Sequence, residues 1–329
     1  MTAKRRRVLV ILGGIAISHR LPAFAQSRAM PVVGFLHSAA PGPFADHVAG
    51  FRKGLGEVGY VEGRNVDVQY RWAQGRYERL PELAAELVRL PVAVLVATGG
   101  DVSANAAKGA SSTTPIVFVV GSDPVKVGLV QSLSRPGANL TGMTLLTSSL
   151  EAKRLELIAA MVPSAKLVAA LFNPGNVNAQ DGERDVVEAA RRLGKRVIAF
   201  KAKDASEFES AFAAMSQQRV GALMVGADPL FNSQRGKLVE LTQRFRLPTM
   251  FQWKEFASAG GLMSYGPNLA DAYRQAGVYA GRILKGAKPG DLPVLQPSIF
   301  EYVVNRKTAM ALGITIPQSV LLRADEVLE

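Results

Sequence analysis

The sequence has 329 residues, with 39 Lys and Arg against 27 Asp and Glu, a formal charge of +12, and no cysteine. That length excludes a small stapled scaffold and leaves room for roughly two domains with full cores. The missing cysteine excludes thiol nucleophiles, Fe–S clusters, Cys-ligated zinc and a lipid attached through an N-terminal Cys. Apolar residues at 48% and charged residues at 20% fit a soluble globular protein. The basic surplus taken alone invites a nucleic-acid or membrane reading.

Much of that surplus is local. Lys4, Arg5, Arg6 and Arg7 precede an apolar stretch over 8–17, and Ala23, Phe24 and Ala25 supply a small-x-small pattern before Gln26. The three zones predict a secretory signal peptide over 1–25, cleaved after Ala25. The stretch is too short for a membrane span, which needs about 20 apolar residues. Arg6 and Arg7 leave both the general and the twin-arginine export routes open. Removing residues 1–25 takes away five basic residues and no acid, leaving 34 against 27, a surplus of seven. The mature chain is expected to be free in the periplasm.

From Pro31 onward short Val/Ile/Leu runs alternate with longer amphipathic segments, the pattern of β-α units around parallel sheets covered on both faces. Strands are predicted at 32–38, 66–72, 93–98, 116–121 and 140–144, with helices at about 43–58, 77–90, 101–110 and 124–133. The pattern restarts with a helix over 151–161 that ends at Pro163, followed by strands at 168–173, 197–201, 222–227 and 249–252. Two α/β lobes of similar plan follow, divided near 144–149. A glycine-flanked run over 260–266 suits a return crossing. The expected N-terminal lobe is 31–145 plus about 262–286, and the C-terminal lobe about 146–261 plus 287–329.

In open α/β sheets ligands bind beyond the carboxyl ends of strands. Those ends are polar and glycine-rich here: His37 and Ser38; Thr98, Gly99, Gly100 and Asp101; Gly121, Ser122 and Asp123; Asn173 to Asn176 after the restart; and Gly226, Ala227 and Asp228. Asp123 and Asp228 each precede a proline, which marks a helix N-cap. A cap facing a cleft can also hold a ligand, so the two roles coexist. Phe231, Phe251, Trp253 and Tyr265 cluster near the later strand ends, as core or as a sandwich for a ring. Gly54, Gly56 and Gly59 match G-x-G-x-x-G, but inside a predicted helix, where dinucleotide binding does not place it. Gly59 reads instead as the C-terminal glycine of that helix. P-loop, nucleophile-elbow and H-E-x-x-H motifs are absent, and His37 and His47 form no local metal motif. Arg184, Arg191, Arg192, Lys195 and Arg196 share helix faces with Asp181, Glu183, Asp185 and Glu188, a solvated face and not a nucleic-acid stripe.

An ordered series of motifs then stands out: PVVGFL at 31–36, GLGEVGYVEG at 54–63, YRWA at 70–73, LPELA at 80–84, PIVF at 115–118, GSDPV at 121–125, GLV at 128–130, RPGANLTG at 135–142, GALMVGADPLFN at 221–232, ILKGAKP at 283–289 and NRKTA at 305–309. Together they closely resemble the ABC-transporter substrate-binding proteins of the tryptophan/tyrosine-binding type, over essentially all of residues 31–329. The resemblance implies a type I periplasmic binding protein fold, α/β with two flavodoxin-like (Rossmann-like) lobes and a ligand cleft between them. It implies a non-catalytic importer component that closes on a small-molecule ligand, an amino acid or similar small carboxylate, and delivers it to an ABC permease at the inner membrane. Carried over by position, the cleft would be lined by Ser38, Thr98, Gly99, Asp123, Asn173, Asp228, Phe231 and Gln252. Asp228 would take the ammonium group, and Ser38, Thr98 and the Gly99 N–H a carboxylate. The resemblance implies no cofactor or metal and no nucleic-acid partner, and the expected state is a monomer. An exported α/β enzyme of hydrolase type, or a ligand sensor, would use the same cleft.

Overall fold

The computed structural model describes residues 30–329, so the signal-peptide reading of 1–25 lies outside the described residues. The N-terminal lobe carries β1 (Val32–His37), β2 (Asp67–Trp72), β3 (Val92–Thr98), β4 (Ile116–Val120) and β5 (Leu140–Thr144), all parallel in the order β2-β1-β3-β4-β5. The C-terminal lobe carries β6 (Leu167–Phe172), β7 (Arg196–Lys201), β8 (Ala222–Val225), β9 (Thr249–Phe251), β10 (Met263–Pro267), β11 (Phe300–Asn305) and β12 (Glu326–Leu328). Its order is β12-β11-β10-β9-β8-β6-β7, with only β10 and β11 antiparallel. The first five strands of each lobe therefore repeat one order, 2-1-3-4-5, that of the flavodoxin-like sheets. The topology switches between β1 and β3, and again between β6 and β8. The central strands β1, β3 and β4 are buried on both faces, which is why their sequences read as continuous apolar runs.

The helices are α1 (Ala45–Glu57), α2 (Leu80–Arg89), α3 (Asp101–Ala110), α4 (Glu151–Met161), α5 (Ala179–Arg192), α6 (Phe208–Gln217), α7 (Pro229–Ser233), α8 (Arg235–Arg244), α9 (Lys254–Ser258), α10 (Leu269–Leu284), α11 (Arg306–Leu312) and α12 (Gln318–Leu321). The helix expected over 124–133 does not form. Pro124 opens a turn in which its carbonyl accepts from both Leu129 N and Val130 N, and Gly128 adopts φ +71. Hydrogen bonds that a helix would send four residues back are thus drawn into a loop.

The lobe division also differs from the expected one. Met263 and Ser264 pair in parallel with Met250 and Phe251, so β10 belongs to the second sheet. The chain crosses only after it. Helix α10 then packs on α1 in the first lobe, and the segment behind it stays there: Leu295 N donates to Gly142 O, and Thr144 N to Leu295 O. The chain returns for good before β11. Three crossings, near 145–150, 267–269 and 297–300, join the lobes. Glycine flanks on a strand mark the strand's ends equally well whether it continues the sheet or leaves it, so the sequence pattern did not separate the two cases.

Buried Arg154 ties two of these crossings together. Its Nη1 donates to Thr147 O at 3.1 Å and to Glu151 Oε1 at 3.1 Å, and its Nε donates to Tyr265 O at 2.8 Å. Burial pushes the Glu151 carboxyl up and the Arg154 guanidinium down, while each partner favours the other's charged form.

Candidate ligand-binding site

A cavity lies between the lobes at the two topological switch points. From the first lobe come Phe44, residues 99–101 after β3, Val119 to Gly121 at the end of β4, and Tyr273 of α10. From the second come Asn176 and Asn178 after β6, Ala227 and Asp228 after β8, Asn232 of α7, and Trp253 after β9. Gly99 and Gly100 both have positive φ, +83 and +88, so the chain turns sharply off β3 and starts α3 at the cavity wall. A Cβ on Gly99 would fall 2.6 Å from Ser38 Oγ, which makes that turn specific to glycine.

Two carboxylates face the cavity from opposite lobes, each bonded across the cleft. Asp101 accepts from Gly121 N at 3.1 Å, from the Ser122 hydroxyl, and from Asn178 Nδ2 of the other lobe at 2.7 Å. Asp228 caps α7 through Leu230 N at 2.9 Å and accepts from Asn173 Nδ2 at 3.1 Å and Asn176 Nδ2 at 3.0 Å. Its cross-cleft donor is the Tyr77 hydroxyl, at 2.9 Å. Burial raises the Asp228 carboxyl above the usual range, opposed by the bonds from Asn173, Asn176, Tyr77 and Leu230. Two further contacts span the lobes: His47 Nε2 with Glu255 Oε1 at 3.2 Å, and Arg235 Nη1 donating to Pro43 O at 3.0 Å. The lobes are therefore closed on the cavity.

Phe44, Trp253, Leu269 and Tyr273 form its apolar wall. Tyr273 is held from behind by His37. Ala39 N donates to His37 Nδ1 at 2.9 Å, which leaves the proton on Nε2 to donate to Tyr273 Oη at 2.8 Å. Burial pushes the His37 imidazole down to about 3, so it stays neutral. No Lys, Arg or His is among the residues lining the cavity. The basic surplus of the chain does not reach the site.

Of the eight residues expected to line the cleft, Gly99 and Asp228 do so. Asn173 lies behind, positioning Asp228. Ser38 Oγ donates to Gly99 O at 2.6 Å and supports the turn instead of facing a ligand. Thr98 is fully buried below that turn, its Oγ1 3.5 Å from Leu36 O. Asp123 accepts from Val125 N and Lys126 N near the surface, holding the turn that follows it and not the ligand cleft. Phe231 is in the core, edge-on to Phe208, and Gln252 is fully buried outside the cavity lining. Of the other aromatics, Trp253 reaches the site, Phe251 stacks on Phe256 at 4.5 Å, and Tyr265 on Phe300 at 6.2 Å. The sequence reading named Asp101 and Asn176 among the polar strand ends without counting them in the cleft, and missed Asn178 and Asn232. The adjacent Gly99 and Gly100 were the signal for Asp101; Tyr273, in mid-helix, had none.

The family model for ABC transporter substrate binding protein matches residues 41–328. The chain belongs to that family. Its fold is that of the periplasmic binding proteins. The chain is similar to a tyrosine-binding protein of Clostridioides difficile, 27% identical over 263 residues, covering 80% of this chain and 75% of the relative. Among solved structures it resembles a conserved domain protein of Vibrio cholerae, with TM-score 0.83, 28% identity, and 91% and 99% of the two chains covered. It also resembles an ABC domain from Streptococcus pneumoniae in complex with L-Trp, with TM-score 0.82, 27% identity and the same coverage.

Proposed function

We propose that this chain is the non-catalytic, exported solute-binding component of an ABC importer, capturing an aromatic amino acid by lobe closure and presenting it to the permease. The observation that carries the reading is the cavity itself. Two carboxylates from opposite lobes flank a wall of Phe44, Trp253 and Tyr273, with no cationic side chain in the lining. Such a lining favours a ligand with an ammonium group and a ring, and disfavours a net anion. The ammonium group sits between Asp101 and Asp228. The ligand's carboxylate takes the N-terminal end of α3, which starts at the cavity wall and where the helix dipole is positive. What the C. difficile and S. pneumoniae proteins bind, by name tyrosine and L-Trp, supports the class. The acidic lining narrows the expected class, an amino acid or similar small carboxylate, to the amino acids. Periplasmic location, a monomeric state and delivery to an inner-membrane permease belong to the same proposal.

Calorimetry with L-tyrosine, L-tryptophan and L-phenylalanine tests it, alongside mass spectrometry of whatever co-purifies. Asp228→Asn should weaken binding of the preferred amino acid tenfold or more, a charge-assisted hydrogen bond being worth about 1.5–3 kcal/mol. Pairing with an ammonium needs Asp228 ionised. Because its carboxyl titrates above the usual range, wild-type affinity should start to fall at a higher pH on acidification than an ordinary Asp would dictate. Unchanged affinity in Asp228→Asn would remove that residue from the ligand contacts.

A further inference from the structure

One side chain in the cavity has no work in the protein. Asn232 is 1% exposed and lines the cavity, yet among the described residues neither Nδ2 nor Oδ1 has a hydrogen-bond partner. Buried amides are paired in the great majority of cases, because an unpaired one has lost its water without a replacement. Asp101 and Asp228 are engaged by the donors described above, Asn176 and Asn178 by the carboxylates they donate to, and Tyr273 by His37.

Position decides which part of a ligand Asn232 meets. Its backbone N donates to Asp228 O at 3.0 Å, so it stands one turn, about 5.4 Å, along α7 from the carboxylate. Arg235 Nη1 donates to both Pro43 O, at 3.0 Å, and Asn232 O, at 3.3 Å, which fastens Asn232 beside Phe44 and the aromatic wall. A ligand whose ammonium group lies between the two acids directs its ring to that wall. There the free amide is the polar group that the ring meets.

We infer that Asn232 is a specificity-determining residue whose side-chain amide accepts, through Oδ1, a hydrogen bond from an O–H or N–H on the ligand's ring. The inference rests on the proposed aromatic amino-acid reading and narrows it to rings that carry a donor, a phenol or an indole. A site built around a buried hydrogen-bonding group rejects the analogue lacking the partner, because the group is then left desolvated and unpaired. Gln252, equally unpartnered, lies outside the lining and cannot make this distinction.

Calorimetric affinities of wild-type protein and Asn232→Leu for L-tyrosine, L-tryptophan and L-phenylalanine test the inference, with thermal melts confirming the fold. Wild type should bind tyrosine or tryptophan at least tenfold tighter than phenylalanine. In Asn232→Leu that ratio should fall to threefold or less, with phenylalanine bound as tightly as by wild type or more so. A wild-type ratio near one overturns the inference by itself, whether or not the variant folds. So does a variant that keeps the full ratio, or one that weakens all three amino acids equally. Failure of all three to bind the wild type overturns the aromatic amino-acid reading and this inference with it.

Discussion

His37 shows how a residue can stand at a strand end, in the place where ligand contacts are sought, and serve the site indirectly. Both ring nitrogens are engaged, one by Ala39 N and the other by the Tyr273 hydroxyl, and the ring is fully buried. With its imidazole held down to about 3, the folded protein refuses a proton that the unfolded chain accepts near pH 6.5. Its contribution to stability is therefore complete above about pH 6.5 and is lost as pH falls toward 3, at a slope of up to about 1.4 kcal/mol per pH unit. His37→Gln retains a donor toward Tyr273 and does not titrate, so urea melts between pH 7 and 5 should show a flatter slope in the variant. An identical slope would place the acid sensitivity elsewhere. Ser38 belongs to the same layer: its position after β1 was readable, but its hydroxyl is turned to Gly99 O, a partner 61 residues away.

At the scale of elements, the glycines of α1 explain a motif that led nowhere as a nucleotide site. Helices α1 and α10 pack backbone to backbone through small residues. A Cβ on Gly54 would fall 1.8 Å from Arg274 O, and one on Gly277 2.1 Å from Phe51 O. Gly59, at φ +90, ends the helix as the sequence predicts, with Tyr60 N reaching back to Leu55 O. Gly56 faces open space and is free of both demands. Gly54→Ala should accordingly lower stability by about 3 kcal/mol, at the upper end of the overpacking range. Gly56→Ala should raise it by about 0.5–1 kcal/mol through helix propensity. Chemical denaturation of the two variants reads both signs, and a neutral Gly54→Ala would contradict the close approach. The spacing of these glycines was visible in the sequence; the helix they meet, more than 200 residues later, was not.

On the scale of the whole molecule, each lobe lends a carboxylate to a donor of the other: Asp101 to Asn178, and Asp228 to Tyr77. These bonds exist only while the lobes are together, so they favour the closed arrangement over an open one. A change that affects only the closed form shifts the open–closed equilibrium and with it the apparent affinity. Tyr77→Phe should weaken ligand binding about tenfold, mostly through faster release, since one bond to a carboxylate is worth about 1.5–3 kcal/mol. Stopped-flow fluorescence from Trp253 would follow it, and an unchanged release rate would show that closure does not depend on this bond. The buried Arg154, bonded to Thr147 O in one crossing and to Tyr265 O beside another, ties the two together.

The sequence alone determined the two α/β lobes, the positions of most strands and the family, because apolar runs, turn residues and helix caps are local properties of the chain. It also located five of the twelve surplus charges within residues 1–25. Only the tertiary structure decided which polar residues at the strand ends face the cavity, that Asn232 and Tyr273 join them, and that the lining carries acids and no base. The physical reason is that a side chain's role depends on its partner. Asp228 and Tyr77 are 151 residues apart, Asp101 and Asn178 are 77, and His37 and Tyr273 are 236. No local pattern records pairings over such distances; they arise when two separately legible lobes fold and close on one another.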